Sequence, residues 1–178
     1  MKKKPKTICM VGGSFDPITV GHAHLIQQAA RMADELHVVI GVNPAKKYLF
    51  SEAERLTLVH HVVGDLDIHD TPVHIHFLKN RLLIQLAHEV GVTHLVRGIR
   101  STEDFTYETQ MALLNRKFNP VIQTLYIVPP PELSEVSSST VKGLVGLEGW
   151  QGFVSQYVHP KVLDALARTH LNSHSKEA

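Results

Sequence analysis

The sequence predicts one α/β domain, a parallel sheet with helices on both faces. Short apolar runs rich in β-branched residues recur along the chain, and stretches with helical spacing separate several of them. A chain of 178 residues suits one domain, since it can bury roughly two-thirds of its unfolded surface. We therefore treat residues 1–178 as one domain and expect flexible tails at about 1–6 and 170–178.

Five apolar runs have the length of buried strands. They cover residues 7–11, 36–42, 73–78, 93–96 and 124–128. Helical spacing follows the first run over about 22–33. A strand that leads into a helix and then into the next strand is typical of a Rossmann-like sheet.

Two further helices have recognisable ends. Ser51 and Glu54 have the spacing of a capping box, which predicts a helix over about 52–63. The apolar spacing over 82–90 predicts another helix, and Gly91 suits its C-cap.

The residues that follow the first strand are the most informative. Residues 12–22 read Gly-Gly-Ser-Phe-Asp-Pro-Ile-Thr-Val-Gly-His, and the two glycines let the backbone turn close to a ligand. His22 is expected in the first helical turn, where free N–H groups and the helix dipole favour an anion. We therefore predict a nucleotide-phosphate site here. Asp16 is expected to be structural, accepting N–H bonds within the loop.

Three other polar segments also follow predicted strands. Residues 43–47 carry two lysines, residues 97–100 read Arg-Gly-Ile-Arg, and residues 137–139 are serines. The planar guanidinium group of arginine can donate two hydrogen bonds to phosphate oxygens. A helix that begins at Ser139 or Thr140 would present free N–H groups to a phosphate. Because open α/β sheets bind ligands beyond the carboxyl ends of their strands, we expect the four loops to meet in one crevice.

Composition excludes several other classes of protein. The net charge is +1, from 18 basic and 17 acidic residues, so we expect no nucleic-acid partner. The lysines of residues 2–6 precede an apolar run too short for a signal peptide or membrane span, which predicts a cytoplasmic location without membrane contact. Cys9, the sole cysteine, is expected in the core. We expect no metal bound by the 13 histidines, because His74 and His76 lack a third ligand at a predictable spacing.

Residues 12–22 resemble the Gly-[Ser/Thr]-Phe-Asp-Pro-x-[Thr/His]-x-Gly-His loop of the nucleotidylyltransferase superfamily. Residues 97–116 are similar to the Arg-Gly-[Leu/Ile]-Arg…Asp-Phe-x-Tyr-Glu segment of phosphopantetheine adenylyltransferases. Residues 136–142 resemble the Ile-Ser-Ser-Ser motif of the same family. The resemblance keeps the same order from about residue 7 to about residue 166.

This resemblance implies transfer of AMP from ATP to 4′-phosphopantetheine, which gives dephospho-coenzyme A and pyrophosphate. It also implies Mg²⁺ as cofactor and a homo-hexamer. The residues implied to stabilise the transition state are Ser14, His22 and Lys46. Those implied to bind the acceptor are Ser14, Lys46, Leu83 and Arg97. Those implied to bind ATP are Ser14, Phe15, His22, Gly98, Ile99, Arg100, Glu108, Leu133, Ser134, Glu135, Val136, Ser137, Ser138 and Ser139.

Three departures keep two alternatives open. Gly12 stands where the family usually has proline, and Leu133 and Glu135 replace aromatic residues. One alternative is an adenylyl- or cytidylyltransferase that acts on another phosphate, such as nicotinate mononucleotide. The other is a regulatory protein that binds ATP and has little turnover.

Overall fold

The computed structural model describes residues 5–43 and 46–174 and contains one sheet of parallel strands. The strands are β1 (Ile8–Gly13), β2 (Glu35–Gly41), β3 (Val73–Leu78), β4 (His94–Gly98) and β5 (Gln123–Ile127), in the order β3-β2-β1-β4-β5. This confirms the predicted sheet. Chain order reverses between β1 and β4, and such a point is where α/β sheets bind ligands.

The first strand is longer than predicted. Gly12 and Gly13 pair with Val39 and Ile40 of β2, although the sequence pattern assigned both glycines to the turn. Two glycines carry no apolar side chain, so periodicity alone ends the strand too early. The turn therefore begins at Ser14.

Seven α-helices and one short 3-10 helix (Pro131–Leu133) accompany the sheet in the described part of the chain. The α-helices are α1 (Val20–Met32), α2 (Glu52–Gly64), α3 (Leu83–Glu89), α4 (Thr102–Phe118), α5 (Ser138–Leu144), α6 (Trp150–Val154) and α7 (Pro160–His174). The capping box of Ser51 and Glu54 is present, and Gly91 follows α3 with φ +72°. None of the described helices is long and apolar enough to cross a membrane.

The C-terminal helix differs from the expected tail. Because α7 runs to His174, residues 170–174 are helical, whereas the polar composition favoured a frayed end from about residue 170. Residues 1–4 and 175–178 lie outside the described residues, so the structure does not test the prediction of flexible tails there.

Two apolar layers cover the sheet. Cys9, Val11 and Val38 belong to the cluster that packs with α1, α2 and α7, while Met10 and Val39 belong to the cluster on the α3 side. Helices therefore lie on both faces, as predicted. Cys9 is fully buried, and burial raises the pKa of its thiol to about 11, as expected for an unreactive core residue.

The histidines of β2 and β3 bond to one another. The ring of His37 stacks on those of His74 and His76 with centroids 5.0 Å apart in each case, and its Nδ1 lies 2.7 Å from His76 Nε2. Among residues 5–43 and 46–174, no three His, Cys, Asp or Glu side chains are grouped so that they could hold a metal ion. In this structure the three imidazole rings pack against one another.

Candidate functional site

The four loops meet in one cleft of about 410 Å³ beyond the carboxyl ends of the strands. It is lined by residues from the turn after β1, by Lys46 after β2, by residues after β4 and by the segment that leads from β5 into α5. The predicted site residues that line it are Ser14, Phe15, His22, Lys46, Arg97, Gly98, Arg100, Glu108, Leu133, Val136, Ser137, Ser138 and Ser139.

Asp16 holds the turn after β1 in place. Its carboxylate is 2% exposed and accepts the N–H groups of Leu49 and Phe50, each at 2.9 Å. It also pairs with the ammonium group of Lys142 at 3.1 Å. The predicted structural role is confirmed, although these N–H groups come from a distant segment and not from the loop itself.

His22 is held as a neutral hydrogen-bond donor. The Thr19 N–H donates to Nδ1 of His22 at 3.0 Å, so the ring proton of the neutral form belongs on Nε2. Burial lowers the pKa of His22 to about 4, and the charges of Arg100 and Arg97 lower it further. His22 is the third residue of α1, in the first turn as predicted.

This lowered pKa predicts a dependence of stability on pH. The unfolded state takes up a proton on His22 near pH 6.5, whereas the folded state does so only near pH 4. The unfolded state therefore binds more protons in this window, and the free energy of unfolding should fall as the pH decreases through it. Between pH 7 and pH 5 we expect wild type to lose about 2 kcal/mol more than His22→Gln in urea unfolding. Equal losses in both proteins would contradict this.

Arg97 is fixed by a carboxylate and a carbonyl. Its Nε and Nη2 donate to the two carboxylate oxygens of Glu108 at 2.7 and 2.6 Å, and Nη1 donates to the Gly12 carbonyl at 2.8 Å. A guanidinium has five N–H groups, so two remain for a ligand. The carboxylate of Glu108, expected at the adenosine, therefore pairs with Arg97 here.

Arg100 is held in a similar way on the other side of Gly98. Its Nε donates to Asp104 at 2.9 Å, and Nη1 donates to the Val136 carbonyl at 3.2 Å. The second contact joins the loop after β4 to the segment before α5. Both arginines are thus oriented before any phosphate arrives.

Lys46 differs from the two arginines. It is exposed, its backbone N–H donates to the Asn43 carbonyl at 3.0 Å, and within the described residues no carboxylate pairs with its ammonium group. Its charge is therefore available to an anion. Pro44 and Ala45 of this loop lie outside the described residues.

The serine run begins α5 earlier than predicted. Ser137 is the N-cap, because its hydroxyl accepts the Thr140 N–H at 2.9 Å, so the helix opens at Ser138 and not at Ser139 or Thr140. The Ser138 hydroxyl donates to the Pro17 carbonyl at 2.8 Å. This bond joins the start of α5 to the turn after β1.

Four predicted residues do not line this cleft. Leu83 lines a neighbouring cleft of about 130 Å³, which shares Arg97 and Glu108 with the first. The other three are Ile99, which is 9% exposed, Ser134, whose hydroxyl donates to the Pro131 carbonyl, and the exposed Glu135. Their roles with ATP stay predictions.

Gly12 leaves room for the side chain of Leu83. A Cβ built at Gly12 would lie 2.9 Å from Cδ2 of Leu83 and 3.7 Å from Nη1 of Arg97. Any larger residue would need Leu83 to move. Glycine in place of the family's usual proline therefore lets the Leu83 side chain pack here.

Sequence reasoning missed Arg55, which donates to the Ser14 carbonyl from α2. The available signal was its spacing, since Arg55 shares the inner face of α2 with Leu58, Val59 and Val62. It also missed Tyr107, which lines both clefts.

The family model described as cytidylyltransferase-like matches residues 10–144. A phosphopantetheine adenylyltransferase of Chromobacterium violaceum is 42% identical over 146 residues, which cover 82% of this chain and 87% of that protein. A phosphopantetheine adenylyltransferase of Lactobacillus gasseri is 39% identical and covers 93% of this chain and 95% of its own length.

A solved structure shares the fold at low sequence identity. The nicotinic acid mononucleotide adenylyltransferase of Plasmodium falciparum, complexed with APC, aligns with a TM-score of 0.69 and 16% identity over 94% of this chain and 97% of that one. This similarity supports the fold only.

Proposed function

The chain belongs to the cytidylyltransferase-like family and, within it, to the phosphopantetheine adenylyltransferases, and we propose that its cleft joins AMP from ATP to the phosphate of 4′-phosphopantetheine. The products are dephospho-coenzyme A and pyrophosphate. The chain is thus a nucleotidyltransferase of coenzyme A biosynthesis.

The observation that carries the proposal is the convergence of positive charge and hydrogen-bond donors from four loops. Lys46, Arg97, Arg100 and His22 line one cleft. The acceptor phosphate is itself an anionic nucleophile, so position and charge are what the protein must supply.

The two clefts suggest where each substrate binds. The smaller cleft is lined mainly by residues of α4 and by two leucines at the start of α3, and it shares Arg97 with the larger cleft. It suits the pantetheine arm, with the acceptor phosphate between Arg97, Lys46 and Ser14. ATP would lie along Arg100 and the start of α5.

Within this arrangement His22 and Lys46 act on the transition state. The Nε2–H of a neutral imidazole can donate to an α-phosphate oxygen without an ionisation step, and the lysine charge offsets the charge that develops at phosphorus. Attack is in line, and pyrophosphate leaves from the opposite side.

The cofactor we propose is Mg²⁺ bound mainly through phosphate oxygens and water. The residues fit this mode, because Asp104 and Glu108, the carboxylates that line the cleft in the described residues, are paired with arginines. When bound, the ion supplies charge neutralisation on the phosphates. Pyrophosphate release should stop in excess EDTA and resume with added Mg²⁺.

We also propose a cytoplasmic homo-hexamer. The surface of α4 supports association, because none of its 17 residues is buried and it exposes Phe105, Leu113, Leu114 and Phe118. Light scattering on the eluting protein should give the mass of six 19.9 kDa chains, and Phe118→Glu should lower it. A monomer in wild type would contradict the proposal.

The acceptor is tested by pyrophosphate release from ATP and Mg²⁺. Phosphopantetheine, nicotinate mononucleotide and no acceptor are compared in parallel. We expect release with phosphopantetheine alone. Release with nicotinate mononucleotide instead would identify a different acceptor, and ATP binding without release would indicate a regulatory protein.

A further inference from the structure

Arg55 is a buried cation with an unusual environment. It lies in α2, is 1% exposed, and within the described residues no carboxylate pairs with it. Its Nε is buried without a hydrogen-bond partner among those residues. Since guanidinium stays charged and an unpaired buried charge costs several kcal/mol, its position requires an explanation.

The contacts of Arg55 are with the backbone behind the cleft. Its Nη1 donates to the Ser14 carbonyl at 2.8 Å and to the Gly41 carbonyl at 3.3 Å. Ser14 begins the turn after β1, and Gly41 ends β2 ahead of the lysine loop. One guanidinium therefore ties together the starts of two phosphate-site loops.

The bond to Ser14 also fixes the direction of the next N–H group. The Ser14–Phe15 peptide bond is trans, so its C=O and its N–H point to opposite sides. With the carbonyl drawn towards Arg55, the Phe15 N–H is directed away from it. Ser14 and Phe15 both line the cleft.

A second path leads from Arg55 to Lys46. The guanidinium lies over the ring of Tyr48, 4.1 Å from the centroid. The Tyr48 hydroxyl accepts the Asn43 N–H at 2.6 Å, and the Asn43 carbonyl accepts the Lys46 N–H at 3.0 Å. Asn43 and Lys46 are thereby linked to the same cation.

The geometry points to Arg55 as a positioning residue for phosphate binding. It positions the Ser14–Phe15 peptide and Lys46, so that the Phe15 N–H and the Lys46 ammonium group contact the α-phosphate at which the acceptor attacks. Its buried charge also adds positive potential behind the turn, where the low dielectric screens it little. This role rests on the proposed function of the cleft.

The test compares Arg55→Lys with Val59→Ala. Lysine keeps the charge but lacks the planar fork, whereas Val59, which is fully buried on the same face of α2, controls for lost packing. We expect Arg55→Lys to lower kcat about tenfold or more, as for loss of a preorganised donor, and to weaken ATP binding by about threefold to tenfold, as for loss of one hydrogen bond. Val59→Ala should keep kcat within about twofold at a similar loss of melting temperature.

A second readout does not depend on the acceptor. The Phe15 and Lys46 backbone amide signals are followed by NMR while ATP is added alone. Both should shift in wild type and in Val59→Ala, and the Phe15 shift should be lost in Arg55→Lys. Tyr48→Phe should reduce the Lys46 shift but leave the Phe15 shift in place.

These outcomes separate the two proposals. Turnover failing in wild type while the amide shifts behave as described would refute the proposed function but support the role of Arg55. Unchanged kcat and an unchanged Phe15 shift in folded Arg55→Lys would overturn the role of Arg55. An equal loss of kcat in Val59→Ala would also overturn it, since packing alone would then explain the effect.

Discussion

His22→Ala is expected to lower kcat by about two to three orders of magnitude, as for other preorganised donors to a transition state. The Nδ1 of His22 accepts the Thr19 N–H, so Nε2 carries the donor proton before substrate binds. Alanine removes this donor and leaves the developing charge on the α-phosphate without it. The measurement is steady-state pyrophosphate release at saturating ATP and phosphopantetheine.

Two further variants sharpen this prediction. His22→Gln keeps an N–H donor of similar reach and should recover part of the rate, whereas the exposed His60→Ala should leave kcat unchanged. The wild-type rate should show no titration near pH 6.5 from His22, because its pKa is about 4. A loss below about threefold in His22→Ala would contradict the role of this side chain.

Arg97→Ala is expected to raise the Kd for phosphopantetheine by about 10²-fold, since a charge-assisted contact to phosphate is worth a few kcal/mol. ATP affinity should stay within about threefold, because Arg100 and the start of α5 are intact. Isothermal titration of each ligand measures both constants. Equal weakening of both ligands would contradict the assignment of Arg97 to the acceptor.

The unpaired Glu108 in this variant needs its own control. Arg97→Ala leaves a carboxylate that would repel the acceptor phosphate, so part of the loss is repulsion. The double variant Arg97→Ala/Glu108→Gln removes that charge and should regain only a fraction of the affinity. Complete recovery would mean that Arg97 serves only to neutralise Glu108.

Local signals in the sequence identified the loops and most of the cleft. Glycines after a strand, a capping residue and charged pairs at strand ends each act over a few residues, so Ser14, His22, Arg100 and a lysine at residue 46 or 47 could be placed before the structure was known. The family resemblance selected Lys46. The start of α5 was missed because three successive serines can each cap a helix. Only the bond from Thr140 identifies Ser137.

Partnerships between distant residues could not be read from the sequence. The bonds that join Arg97 to Glu108 and Asp16 to Phe50 form only when strands and helices have packed. Arg55 occupies an apolar position of α2 by spacing, and its carbonyl partners lie on two other elements. The roles of these residues therefore required the fold.

The central claim is that the acceptor phosphate attacks the α-phosphorus of ATP in this cleft. Phosphopantetheine labelled with ¹⁸O on its phosphate, incubated with the protein, ATP and Mg²⁺, tests this by mass spectrometry of both products. We predict dephospho-coenzyme A that carries all of the label and pyrophosphate that carries none. Label in pyrophosphate, or no dephospho-coenzyme A at all, would contradict the claim.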